Sequence, residues 1–195
     1  AWYPGEEGGH ALADVLFGKV NPSGRLPISV PRSVGHVPAC YNHAPSARGV
    51  YGRPGTPESP GRDYVFSDTR PLFAFGHGLS YTSFRYTRLR VSPKSIRPDS
   101  RAEVKVNVRN AGTRAGREVV QLYVSDLYSS MTTPVKSLRG FRKISLQPDE
   151  QQTVTFTLQP EDLAMLDANQ QWVVEPGDFE ITVGPLKATL SVRED

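Results

Sequence analysis

The sequence has little of several features that would point to particular classes of protein. It has one cysteine, Cys40, so no internal disulfide bond can form. No apolar run approaches the ~18–20 residues that a membrane-spanning helix needs, which excludes a segment that crosses a bilayer. The 23 basic and 20 acidic residues are interleaved without a long Lys/Arg run, so nucleic acid is not an expected partner. With 37% hydrophobic and 22% charged residues among 195, the composition is that of a globular protein.

Residues 1–32 carry the signals of one short helix and one short strand. Apolar residues at helical spacing predict a helix over residues 9–17, which Gly18 ends. A strand is predicted over residues 25–30, and its proline indicates an edge position. One helix and one edge strand cannot bury their own apolar faces, so we expect the C-terminal remnant of an α/β domain, in a piece of a longer chain. The helical spacing is that of Leu12, Val15 and Leu16.

Residues 33–82 are interpreted as a long connecting loop. Most of this segment is rich in Pro, Gly, Ser and Arg with little periodicity, and a loop of such length is usually functional or a linker. Its aromatic residues either form a surface on which a sugar stacks or fasten the loop to a neighbouring domain. The second interpretation is favoured because aromatic side chains bury large areas. These residues are Tyr41, Tyr51, Tyr64, Phe66, Phe73, Phe75 and Tyr81.

Residues 83–195 show a succession of predicted strands. Apolar residues alternate with polar ones from 102 to 109, which is the pattern of a half-buried strand. Similar runs follow, separated by turn signals such as NAG at residues 110–112. Roughly seven short strands predict a mainly β fold, an immunoglobulin-like or fibronectin type III-like β-sandwich. One helical turn is expected over residues 162–166.

The sequence contains no complete catalytic or metal-binding constellation. Adjacent residues such as Glu6 and Glu7 cannot face each other across a sugar at the ~5–5.5 Å of a retaining carboxylate pair, and are interpreted as helix-start acids. His36, Cys40 and His43 have metal-like spacing only in a helix, whereas nearby prolines indicate a loop without a fourth ligand. No G-x-S-x-G motif marks a serine nucleophile. We therefore predict no catalytic, cofactor-binding or metal-binding residue in this chain.

Short motifs along the chain share one likeness: PGEEGG at residues 4–9, ADVLFG at 13–18, NPSGRLP at 21–27, PLFAFGHGLSYT at 71–82, NAG at 110–112, GREVVQLYV at 116–124, LRGFRK at 138–143 and EPG at 175–177. Together they resemble glycoside hydrolase family 3, and within it the periplasmic β-glucosidases of Gram-negative bacteria. The resemblance covers essentially the whole chain, and the motifs in this order are highly specific.

The resemblance implies an enzyme built from a (β/α)8 barrel, an α/β sandwich domain and a fibronectin type III-like domain. Such enzymes cleave terminal β-D-glucosyl residues, in some members β-xylosyl residues, with retention, using an aspartate nucleophile and a glutamate acid/base. Both carboxylates would precede the segment that matches residues 4–9, so we expect this chain to be inactive alone. Residues 1–32 would finish the α/β sandwich domain, residues 33–82 would connect, and residues 83–195 would form the fibronectin type III-like domain.

The same resemblance implies a periplasmic or secreted protein that needs no cofactor. Its partner would be the rest of the glycosidase, with the β-glucoside bound mainly outside this segment, and a homodimer is compatible with the resemblance. Because long ordered loops are often functional, residues 42–62 are a candidate for shaping aglycone selection. The alternative is a freestanding fibronectin-like interaction or carbohydrate-binding module, which would not need residues 1–32. The residues encoded upstream of Ala1 would distinguish the two.

Overall fold

The computed structural model describes residues 3–45, 56, 58, 68 and 70–194. No helix in these ranges is long and apolar enough to span a membrane. A 3-10 turn lies at Val34–His36. The helices and strands are α1 Gly8–Leu16, β1 Phe84–Ser92, β2 Ser95–Ile96, β3 Ala102–Asn110, β4 Gly116–Asp126, β5 Ser137–Leu146, β6 Gln151–Leu158, α2 Pro160–Leu163, β7 Met165–Leu166, β8 Trp172–Val173, β9 Gly177–Val183 and β10 Leu186–Val192.

Helix α1 forms close to its predicted position, and only some of its apolar side chains are covered. Its bounds agree with the helix predicted over residues 9–17 to within one residue. Gly18 follows with a φ of +75°, a left-handed conformation that favours glycine and ends the helix. Of the three residues at helical spacing, Val15 is half-buried, whereas Leu12 and Leu16 are exposed.

The strand predicted over residues 25–30 is not formed. Only Val30 makes a β-bridge, and its partner is Phe73. The backbone of Leu26 also pairs with the later segment, because its carbonyl oxygen accepts the N–H of Gly76 at 2.8 Å. Pro27 has no N–H to continue the pairing, which explains why the contact remains a few separate hydrogen bonds instead of a ladder.

The predicted β-sandwich is confirmed in residues 84–192. One sheet has three strands in the order β1-β3-β6, and the other has five in the order β2-β10-β9-β4-β5. All neighbouring strands are antiparallel except β2, which runs parallel to β10. The strands β7 and β8 form a separate two-stranded pair. Seven of these strands have seven or more residues, which matches the roughly seven strands expected from the alternation.

The hydrophobic core lies between the two sheets. Strands β3 and β4 each alternate between buried apolar residues and more exposed polar ones, so each sheet offers one apolar face to the other. The largest side chains that are almost completely buried are Phe179, Leu122, Leu146, Leu158, Ile181 and Leu190.

Helix α2 is a single turn that lies two residues before the predicted position. Pro160 occupies its first turn, where a missing N–H costs nothing. The Asp162 carboxylate accepts the backbone N–H of Gln159 at 2.9 Å, which completes a capping box. These local contacts start the turn at residue 160 instead of residue 162, and they bury Leu163 against the core.

We expect Leu122→Ala in β4 to lower the free energy of unfolding by about 2–5 kcal/mol. Leu122 has no exposed surface and belongs to the core, so truncation leaves a cavity. Urea unfolding followed by circular dichroism measures the change. Phe141→Ala in the neighbouring strand β5 is the control, because Phe141 is 67% exposed. A loss no larger than that of the control would contradict this account of the core.

Candidate docking interface

The acids at the start of α1 do not face each other across a cleft. Glu6 and Glu7 are both exposed. Glu7 stands at the N-cap position of α1, and its Oε2 lies 2.7 Å from Nδ1 of His10. These contacts agree with the interpretation of the two residues as helix-start acids.

The residues with metal-like spacing are in three different environments. His36 is almost completely buried, and its Nδ1 accepts the backbone N–H of Arg32 at 3.3 Å. Nδ1 of His43 lies 2.8 Å from the carbonyl oxygen of Ala44, and the thiol of Cys40 is free and exposed. Within residues 3–45, 56, 58, 68 and 70–194, no group of three or more His, Cys, Asp or Glu residues could hold a metal ion.

We call residues 3–45 and 70–82 the N-terminal region. The structure brings together side chains that join this region to the sandwich. We call this set of contacts the docking interface. At its centre, the guanidinium of Arg25 donates to both oxygens of Glu118 at 2.7 and 2.5 Å. Glu118 is only 5% exposed, and Tyr86 donates its hydroxyl to the same carboxylate at 2.7 Å. A buried carboxylate thus receives three charge-assisted hydrogen bonds from opposite sides of the interface.

Gly78 allows its own segment to pack closely against residues 24 and 25, and so to hold the Arg25 side chain. A Cβ at this position would clash with the carbonyl oxygen of Gly24 and with the Arg25 side chain. Arg25 also donates to the carbonyl oxygen of Gly78 at 3.0 Å. The absence of a side chain at residue 78 therefore helps to fix the direction in which the guanidinium points.

The environment of Tyr86 changes its acidity. Burial, and then the nearby negative charge of Glu118, raise the pKa of the Tyr86 hydroxyl well above its usual value near 10. The phenol therefore stays protonated and remains a hydrogen-bond donor to Glu118 throughout the neutral pH range.

Asn21 forms a second connection across the interface. Its side-chain amide donates to the carbonyl oxygen of Ala115 in the sandwich at 3.0 Å. Its Oδ1 accepts the hydroxyl of Ser80 at 3.0 Å and the backbone N–H of Tyr81 at 2.8 Å. One side chain thereby ties the segment at residues 21–24 to both the 80–81 segment and the loop before β4.

Arg114 and Tyr81 hold helix α1 against the sandwich. Arg114 donates to the carbonyl oxygen of Gly18 and lies over the ring of Tyr81, 5.5 Å from its centroid. The Tyr81 hydroxyl donates to the carbonyl oxygen of Val15 at 2.7 Å. The arginine contributes both a hydrogen bond to the end of the helix and a cation–π contact.

Aromatic rings of the connecting segment pack on the sandwich. Tyr41 stacks on Phe75 with centroids 4.0 Å apart and meets Tyr123 of β4 edge-on at 6.1 Å. The Lys136 ammonium lies over the ring of Tyr123, 5.0 Å from its centroid. Burial raises the pKa of the Tyr123 hydroxyl to about 12. Gly76, with a φ of +79°, turns the chain beside this cluster. These contacts support fastening rather than sugar stacking for the described aromatic residues.

Parts of the connecting loop lie outside the described residues. Three of its aromatic residues belong to this part, as does most of the segment 42–62 that was a candidate for aglycone selection. That hypothesis therefore remains a prediction. The three aromatic residues are Tyr51, Tyr64 and Phe66.

Sequence reasoning missed the residues at the centre of the docking interface. Arg25 and Glu118 are 93 residues apart, and no local periodicity connects such a pair. The only signal was their position inside the motifs at residues 21–27 and 116–124, which the resemblance had identified without assigning a role.

Many apolar side chains of the N-terminal region are exposed. Phe17 is 89% exposed and Leu16 is 67% exposed, although both belong to or adjoin α1. An accumulation of exposed large apolar side chains is typical of a surface that another protein covers. The other exposed large apolar residues of the N-terminal region are Tyr3, Leu12, Val20, Ile28, Val34, Val37, Leu72, Phe73, Leu79 and Tyr81.

Two family descriptions match the chain. Residues 1–81 match the glycosyl hydrolase family 3 C-terminal domain. Residues 118–186 match a fibronectin type III-like domain.

Curated relatives and solved structures extend these matches over nearly the whole chain. The chain is 43% identical over 186 residues to a periplasmic β-glucosidase of Salmonella typhimurium, covering 94% of this chain and 24% of that protein. It is 44% identical over 183 residues to a β-xylosidase of Formosa agariphila, again covering 94% and 24%. A β-glucosidase structure from Erythrobacter marinus superposes with a TM-score of 0.86 at 45% identity, covering 98% of this chain and 24% of that one. The chain thus spans about a quarter of the length of these relatives.

We expect Arg25→Ala to lower the free energy of unfolding by about 3 kcal/mol, because Glu118 would remain buried without its cationic partner. The backbone amides of Leu26 and Gly76, which pair the N-terminal segments beside Arg25, should exchange faster with solvent. Urea unfolding and amide hydrogen exchange measure the two effects. Lys105→Ala is the control, since it breaks a pair with Glu103 in which both side chains are about half exposed. Equal losses in the two variants would contradict the importance of the buried pair.

We expect stability to fall as pH rises above ~10, where tyrosines of the unfolded chain ionise while Tyr86 stays protonated in the folded chain. Its raised folded-state pKa means that its contribution is fully present below pH ~10 and is lost progressively above it. Tyr86→Phe should therefore reduce the slope of unfolding free energy against pH in this range. The matched control is Tyr128→Phe, because Tyr128 is 81% exposed. Urea titrations at alkaline pH give the slopes, and identical slopes for all three proteins would refute the expectation.

Proposed function

The chain belongs to glycoside hydrolase family 3, and on that premise we propose that it forms the C-terminal region of a retaining β-glucosidase. The full enzyme would hydrolyse terminal β-D-glucosyl residues, and its aspartate nucleophile and glutamate acid/base would both come from upstream domains. This chain would supply no catalytic carboxylate. Its task would be to complete the α/β sandwich domain and to hold the fibronectin type III-like domain against it.

The observation that carries the proposal is the docking interface itself. A freestanding binding module would have no use for a buried ion pair that joins a short helical segment to a sandwich. Here Arg25, Asn21 and Arg114 all connect residues of the glycosyl hydrolase family 3 match to the sandwich. The N-terminal region is thereby held in a fixed orientation, as a part that positions one domain on another must be.

The exposed surface around α1 is the proposed contact with the upstream part of the enzyme. Full burial of a leucine or phenylalanine side chain stabilises an assembly by about 1.5–3 kcal/mol. Leu12, Leu16 and Phe17 together would therefore provide several kcal/mol once they were covered. The missing barrel and α/β sandwich domains are the partners that the family premise supplies.

The preferred substrate and the cellular location are proposed from the relatives. A β-glucosidase and a β-xylosidase are equally similar to the chain, and we favour glucosyl specificity because of the motifs shared with periplasmic β-glucosidases. A periplasmic or secreted location is proposed on the same ground. A homodimer is part of the same proposal.

A chimera tests the proposed function directly. The C-terminal region of the Salmonella relative would be replaced by this chain, to which it is 43% identical. We expect the chimera to hydrolyse p-nitrophenyl β-D-glucoside, and neither the isolated chain nor the relative truncated before the match to do so. Activity of the isolated chain above a protein-free blank, or full activity of the truncated relative, would overturn the proposal.

We expect the double substitution Leu16→Ser and Phe17→Ser to weaken assembly of the chimera, because it removes apolar surface that the upstream domains would bury. When the upstream part and this chain are produced separately and mixed, recovered activity should fall by about tenfold or more, equivalent to 1.4 kcal/mol or more of association free energy. Phe141→Ser, on the sandwich, is the matched control for loss of an exposed aromatic residue. Unchanged recovery in the double variant would show that the α1 surface is not the contact.

A further inference from the structure

A cavity of about 310 Å³ opens on the sandwich, and it is lined by residues other than those of the docking contacts described above. Its walls come from the end of β4, the residues that precede and begin β5, helix α2 and the β7–β8 pair. The volume lies within the range of about 300–1,000 Å³ that small-molecule sites occupy. We call it the Trp172 cavity after the indole on its wall.

The floor and rim of the Trp172 cavity differ in character. The floor is apolar and includes the buried residues Met165 and Phe179. At the rim, Trp172 is 71% exposed and its indole N–H has no hydrogen-bond partner among the described residues. An exposed indole beside a preformed concavity offers a flat surface for stacking together with an unused donor.

Charged side chains of both signs line the same cavity without neutralising each other. The guanidinium of Arg139 is exposed and makes no ion pair or hydrogen bond in the described part of the chain. Asp126 is half-buried, and one of its carboxylate oxygens accepts the backbone N–H of Tyr128 at 3.1 Å. Burial raises the pKa of Asp126 above its usual value, as is common for carboxyl groups in functional clefts. Asp162, whose carboxylate accepts the backbone N–H of Gln159, is a second acidic residue on the cavity wall.

This combination favours one kind of ligand over three others. An anion would meet the carboxylates of Asp126 and Asp162, and a cation would meet Arg139. A purely apolar ligand would remove these charges from water without pairing them, which costs free energy. A neutral molecule with many hydroxyl groups and one apolar face can donate to the carboxylates, accept from the guanidinium and stack on Trp172.

We infer that the Trp172 cavity is a saccharide-binding site of the fibronectin type III-like domain, in which a pyranose ring stacks on Trp172 while its hydroxyls bridge Arg139 and Asp126. The choice of β-linked glucosyl or xylosyl saccharides rests on the proposed function. A saccharide bound in this cavity would be held on the same polypeptide as the proposed upstream catalytic domains, which raises its effective concentration for them.

The test uses the full 195-residue chain labelled with nitrogen-15, titrated with cellobiose and separately with xylobiose. We expect a saturable shift of the Trp172 indole N–H signal with a dissociation constant in the millimolar range. Arg139→Gln should weaken binding by about fivefold or more, because a charge-assisted donor is lost. Trp172→Ala, followed by saturation transfer to the sugar because the indole signal is gone, should abolish detectable transfer.

Two controls separate this binding from less specific effects. Phe141→Ala removes an exposed aromatic residue that does not line the cavity, and it should leave the affinity unchanged. Sorbitol carries similar hydroxyls without a ring face, and it should cause no saturable shift. Circular dichroism and urea unfolding confirm that each variant retains the parent fold.

Three outcomes would overturn the inference: no saturable shift with either disaccharide, an equal response to sorbitol, or sugar binding that survives Trp172→Ala. Self-association that depends on Trp172, detected by sedimentation, would identify a second copy as the occupant and would also overturn it. The chimera reports on the proposed function independently. An inactive chimera with intact cellobiose binding would contradict only the proposed function. An active chimera without saccharide binding would contradict only the proposed saccharide site.

Discussion

The pairing of Arg25 with Glu118 is the constraint on which the arrangement of this molecule depends. A carboxylate that is 5% exposed is tolerated only because a guanidinium and the Tyr86 hydroxyl satisfy it. Two of these groups belong to the sandwich and one to the N-terminal region, so the pair is complete only when the two parts are docked. Asn21 and Arg114 add hydrogen bonds on either side and restrict rotation about that point.

Docking against the sandwich leaves apolar side chains of the N-terminal region exposed to solvent. The Tyr81 hydroxyl donates to the backbone carbonyl oxygen of Val15 in α1, whereas Leu16 and Phe17 stay exposed. The sandwich, by contrast, buries its own apolar faces between two sheets and needs no further partner for its core. The chain therefore combines a self-sufficient domain with a segment whose apolar surface fits a role as part of a larger enzyme.

The two kinds of chemistry on this chain use different residues. The docking interface uses buried charge that is fully paired, which suits a permanent structural contact. The Trp172 cavity has charges that remain unpaired near solvent, which suits a ligand that comes and goes. The distinction rests on pairing and not on residue type, since arginine and acidic side chains occur in both places.

Elements with local signals could be predicted from the sequence. Period-two alternation in residues 102–109 and helical spacing around Val15 lie within one element each, so the sandwich and α1 were predictable. Contacts between distant segments became visible only in the folded structure. Residues 25–30 pair with residues 72–77 through separate hydrogen bonds, and Arg25 reaches across 93 residues to Glu118. Such contacts depend on how finished elements pack, which no spacing along the chain records.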